Sequence, residues 1–197
     1  MLIILLIKPN FGVDNCFFME IKNKLLCFEY LLHQLFVWYN ECRPQDMNYL
    51  SFTRLKVLKL LFFVSAIRAN DDDLLDIFGN FWAMQHGPVE SDIYDAMVMD
   101  AFDYYSFKTR TVSCKKSFEL EIVEKEIGQF KVQIDAAIAQ LKHVNRTLVL
   151  SPAFDLVELS HKWSAWKLAM SVANLNGKGS SRMSVDDIRT YPQCFVI

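Results

Sequence analysis

Glycine and proline are scarce, 6 and 5 residues of 197. That excludes a collagen-like or low-complexity chain and argues against a loop-rich β-sandwich. Cysteine is sparse, odd in number and scattered: Cys16, Cys27, Cys42, Cys114 and Cys194, with no C-x-x-C. A disulfide framework or zinc site has little to build on, so the thiols read as reduced ones in a cytoplasmic protein. Without secretion, the sequon Asn145-Arg146-Thr147 carries no meaning. The four histidines, His33, His86, His143 and His161, form no H-E-x-x-H and no i,i+4 pair, so no metal ligands are assigned. Charge of one sign is lacking too: 21 basic against 23 acidic residues, net -2. That is not the basic footprint of a nucleic-acid binder. The apolar opening Met1–Ile7 stops at Lys8-Pro9, far short of the roughly 20 residues that span a membrane. It also lacks the basic start and small-residue cleavage site of a signal peptide. No G-x-S-x-G is present, and Lys178 sits between two glycines with no strand before them, which makes a linker rather than a phosphate loop. No catalytic, cofactor-binding or metal-ligating set follows from these residues.

What the chain has is apolar bulk: 52% hydrophobic residues, with 16 Phe, 7 Tyr and 4 Trp. The patterning predicts a mainly α fold, a single compact helical domain with one long amphipathic helix. Met1–Phe18 lacks helical periodicity. It reads either as a buried strip or as residues ahead of a start at Met19, and the second is preferred. Residues 1–18 are thus expected to be a non-core extension and 19–197 the domain. Helical spacing runs from about Glu20 to Glu41. Ser51 fits an N-cap, with Leu50 and Leu55 as a hydrophobic staple. The run Leu55–Val64 that follows is apolar nearly all round, so it should lie at the centre of the core. Asn70–Asp73 reads as a solvated acidic break. A short helix is expected over Leu74–Gln85, and Pro88 in the first turn of another, which would carry Val89, Ile93, Tyr94 and Met97 inward. Between Phe102 and Phe118 the composition allows a small β-hairpin, near 103–118, or an irregular excursion. Ser151-Pro152 and Ser164 mark further helix starts, and Ser184 with Asp187 resembles a capping box.

The long helix is expected over Glu119–Val144. Leu120, Val123, Ile127, Phe130, Ile134, Ala137, Leu141 and Val144 form an a/d seam. In a bundle that seam would pack on the Leu55–Val64 helix. Ile122, Val132 and Ile138 lie off it among charged residues, which makes them candidates for a partner-facing surface.

Two stretches carry a recognisable signature. One is Phe81-Trp82-Ala83-Met84-Gln85-His86-Gly87-Pro88-Val89 followed by Ile93-Tyr94, the other Leu156–Lys162 followed by Trp166. This order of aromatic-rich segment, "GPV", Tyr, "SHK" and Trp resembles the Panacea, or SocA-like, antitoxin domain. Lys56–Phe63 is similar to that family's "KLQKLLYF" helix, and Met183–Phe195 to its closing segment. The likeness extends over roughly residues 20–197. It implies a mostly helical antitoxin of a bacterial or phage toxin–antitoxin pair, neutralising a toxin encoded nearby by direct protein contact. An adaptor that delivers its toxin to a protease is the alternative, and an enzyme built on His86 and His161 a more distant one. His86 departs from the family, which more often has an aromatic there. The longer middle, Phe102–Leu150, is where partner choice would reside. Trp82, Gly87, Pro88, Val89, Tyr94, His161 and Trp166 read as residues that hold the fold, since they contain no nucleophile–base pair.

Overall fold

A computed structural model describes residues 13–43, 52–67 and 72–190. The protein is mainly helical, 61% of it, with a small antiparallel sheet. Helix α1 spans Val13–Cys42 and α2 Arg54–Ala66. Strands β1 (Phe81–Met84) and β2 (Gly87–Glu90) precede α3 (Ser91–Met99). Strands β3 (Tyr105–Phe107) and β4 (Val112–Cys114) form a hairpin. Then come α4 (Leu120–Ile127), α5 (Phe130–Val144), a 3-10 turn at Leu148–Leu150, α6 (Ala153–His161) and α7 (Ser164–Leu175). Strand β5 (Ser181–Arg182) and α8 (Val185–Thr190) complete the described part.

Helix α2 is the centre of the core, as its composition predicts: every residue from Lys56 to Ala66 is buried. Its cap is Thr53, not Ser51, which lies outside the described residues with Leu50; the Thr53 hydroxyl accepts from the Lys56 N–H. Phe62 makes edge contacts with Phe81 at 5.2 Å and Trp163 at 4.9 Å. Three elements far apart in sequence thus meet on one ring, a geometry aromatic pairs favour. Helix α1 starts at Val13, earlier than the expected Glu20 and over part of the stretch that lacks helical periodicity. It packs against α3, α4 and α5, while α2 packs against α5, α6 and β2.

Three expectations are corrected. The stretch 74–85 is not a helix: a turn at 75–77 leads into β1, the middle strand of the order β2-β1-β5, with Trp82 opposite Val89 and Arg182. A four-residue apolar run cannot be told from a helical one by periodicity, and the strand that completes this sheet arrives a hundred residues later. Pro88 therefore sits in β2, and α3 begins after it, capped by the Glu90 carboxylate on the Ile93 N–H. Tyr94 faces outward beneath the Arg54 guanidinium, 5.8 Å from its ring centre.

The second correction is the long helix of 119–144, which breaks into α4 and α5. Gly128 takes φ 55 and ends α4, a conformation that costs a side-chain-bearing residue about 1–2 kcal/mol. Lys131 pairs across the break with Glu124 and within α5 with Asp135, which accepts from the Tyr30 hydroxyl of α1. The seam is buried at Val123, Ile127, Ile134, Ala137 and Leu141, against α1 as well as α2. Third, Asp73 is not solvated. It is buried, accepts from the Leu75 N–H, and takes two hydrogen bonds from Arg189 of α8. The 103–118 region resolves as the β3–β4 hairpin. Its Tyr104 and Tyr105 amides donate to the buried Glu29 carboxylate of α1.

Candidate functional site

The signature residues converge on the β1–β2 hairpin. A lysine inside an apolar helix must find an acceptor or give up its charge. Lys59 of α2 is fully buried and its Nζ donates to the Pro88 carbonyl of β2. Burial pushes its ammonium down to about 7. Gly87 lies beside it with φ 87; a Cβ there would come within 2.3 Å of the Ser160 hydroxyl and 3.1 Å of the Lys59 Nζ. Ser160 of α6 is itself buried and donates to the Val157 carbonyl. The glycine is thus demanded by a close approach of three elements. Pro88 and Val89 are both buried.

On the other side of the hairpin the Trp166 indole donates to the Met84 carbonyl at 3.1 Å. The His161 ring stacks on it, 4.0 Å between centres and 15° between planes. Desolvation holds the His161 imidazole below the usual histidine range, against the pull of Glu158. Its Nε2 is buried, and the Gln85 backbone also opposes that fall through a hydrogen bond to the imidazole. Trp82 is half-buried and its indole donates to Asn80. His86 is exposed at the hairpin turn and meets Phe154 edge-on, at 6.3 Å. The hairpin's far end is anchored by Glu90, fully buried, which accepts from Lys24 of α1, from the Asn80 N–H and from Ile93. Burial raises the Glu90 carboxyl, and the Lys24 charge opposes that rise.

The sequence model described as "Antitoxin SocA-like, Panacea domain" matches residues 57–167. The chain belongs to this family. No curated protein and no solved structure matches it. The matched segment runs from α2 to the start of α7, so it contains Lys59, the hairpin, His161 and Trp166. It is narrower than the 20–197 span of the resemblance, leaving out α1, most of α7 and the closing segment. In this chain "GPV" is the strand that receives the α2 lysine. "SHK" supplies the serine under the glycine and the histidine on the tryptophan. Lys59, Ser160, Glu90 and Lys24 escape a reading by spacing. The available signal was two lysines, Lys56 and Lys59, inside an otherwise apolar helix.

Of the residues expected to face a partner, Ile122 and Val132 are exposed, 52% and 70%. Ile138 is buried, 5% exposed, on the face of α5 that joins the core. Ile138 follows Ile134 by four residues and precedes Leu141 by three, so it flanks the same buried face that carries the seam. Among the described residues no group of three or more His, Cys, Asp or Glu is placed to hold a metal. No described helix is long and apolar enough to cross a membrane.

Proposed function

We propose that this chain is the antitoxin of a toxin–antitoxin pair and neutralises a cognate protein toxin, encoded nearby, by direct contact in the cytoplasm. The match of the antitoxin domain over residues 57–167 carries the reading. The chemistry of the signature supports binding rather than catalysis. Lys59, Trp166 and Glu90 each spend polar atoms on a neighbouring element, Ser160 spends its hydroxyl on its own helix, and His161 lies stacked with a buried nitrogen. None of these forms a nucleophile and base poised toward solvent.

The partner-facing surface is assigned to the outer faces of α4 and α5, around Ile122 and Val132. Both are apolar side chains left in water on helices whose other faces are already buried, the composition expected of an interface core. Co-expression with the neighbouring toxin tests this. Ile122→Asp and Val132→Asp should fold with a melting temperature near that of the unaltered chain, since exposed positions usually tolerate change within about 0.5 kcal/mol. They should also fail to rescue growth. Folded variants that protect fully would remove this surface from the interface. Toxin levels followed alongside separate masking, in which the toxin persists, from delivery to a protease, in which it disappears.

A further inference from the structure

Lys56 poses a problem that Lys59 does not. It is 4% exposed, and among the described residues neither a carboxylate nor a hydrogen-bond acceptor meets its ammonium. Its neighbours are the rings of Phe52 and Tyr39, 5.1 and 5.5 Å from Nζ. Burial and the like charge of Arg43 push it down to about 8, so it remains cationic at neutral pH. Together Lys56 and Arg43 line a recess of about 230 Å³ at the junction of α1, α2 and α6, with Thr53, Ser151 and Ala153 among the other lining residues.

A second source of positive potential enters the same recess. Helix α6, nine residues long, begins at Ala153 behind Pro152, with no side chain capping it. Its first intrahelical bond is from the Leu156 N–H to the Pro152 carbonyl. The amides of the first turn therefore lack helix partners, which makes an N-terminus attractive to anions. A buried cation, a second cation, two hydroxyl residues and a free helix N-terminus share one small space.

We propose that this recess binds a phosphate-class dianion, either inorganic phosphate or the terminal group of a phosphomonoester, with Lys56 as its buried charged anchor. The Lys56 ammonium and the first-turn amides of α6 offer donors to a tetrahedral anion from two sides. The volume holds one tetrahedral anion with a few waters, at roughly 30 Å³ per water. It is smaller than the roughly 300–1,000 Å³ usual for drug-sized ligands. The proposal is independent of the antitoxin reading.

The test uses the full chain in HEPES–chloride at pH 7, titrated with sodium phosphate or phenyl phosphate against ionic-strength-matched sodium chloride. Melting temperature and ³¹P line width are followed. A saturable rise of about 3–5 °C at ten times Kd is expected. Phenyl phosphate reproducing it identifies a phosphomonoester site, and its failure a site for free phosphate. Lys56→Met should abolish the rise. Should that variant fail to fold, Ala153→Pro provides a second arm. Proline suits the first helical position while removing one N–H, so this variant should melt normally without phosphate and bind several-fold more weakly. No saturable rise in the unaltered chain, or an equal rise in a folded Lys56→Met or Ala153→Pro variant, overturns the proposal.

Discussion

Gly87→Ala is the sharpest probe of the site, because two separable costs meet at one methyl group. The backbone there has φ 87, and holding an L-residue in the left-handed region costs about 1–2 kcal/mol. The added Cβ would lie 2.3 Å from the Ser160 Oγ and 3.1 Å from the Lys59 Nζ. Overpacking in a close-packed interior costs typically about 1–3 kcal/mol. The sum is about 2–5 kcal/mol, or roughly 5–15 °C in melting temperature for a chain of this size. Ser160→Ala alone loses only the hydrogen bond to Val157, about 0.5–1.5 kcal/mol. Combined with Gly87→Ala it removes the closest clashing atom, so the double variant should melt above the Gly87→Ala single. The strain of φ and the contact with Lys59 would persist, keeping rescue partial. Thermal melts and urea titrations of the four proteins form a double-mutant cycle. A Gly87→Ala protein as stable as the parent, or a double variant showing no rescue, would refute the close-approach account of the "GPV" strand.

Lys59 predicts a pH dependence with a definite sign. Its folded value of about 7 lies below the 10.5 of a free lysine, so the unfolded chain holds the proton more tightly. Its contribution to stability therefore falls as pH drops from about 10.5 to about 7, and is level below that. The melting temperature of the unaltered chain should rise relative to that of Lys59→Met from pH 7 to pH 9; an offset that stays constant would contradict this. For His161→Ala, loss of the stack on Trp166 should cost about 0.5–1.5 kcal/mol beyond the buried area, while toxin protection survives. A stable variant with no protection would instead assign His161 a direct functional role.

The helical character and the central place of α2 were legible because an all-apolar run has only one place to go. Likewise the Ser184 cap was found, its hydroxyl accepting from the Asp187 N–H at 3.4 Å. The β1–β2 hairpin was not legible. Its two strands are four residues each and its third partner is Ser181–Arg182, so nothing local distinguishes Phe81–Met84 from a helical turn. The break of α4 from α5 was hidden for a related reason: the a/d spacing continues across Gly128, and only the glycine marked the interruption. Signature residues could be named from the sequence, but their mutual contacts depend on Lys59 and Ser160, whose polar atoms are informative only once the chain is folded.

The ion pair between Lys24 and Glu90 links the recognised segment to a part of the chain outside it. Glu90 belongs to the segment by which the family is recognised, whereas Lys24 lies 33 residues upstream of its first matched position, Val57. A fragment cut at the edges of recognition would keep a fully buried carboxylate and lose the cation that neutralises it. It would also lose the α1 faces on which α4 and α5 rest. What is inherited as a recognisable unit is therefore smaller than what must fold as one. Helix α1 is tied into that unit by the apolar residues it buries between Leu26 and Tyr39 and by one charge, Lys24, whose partner lies 66 places away.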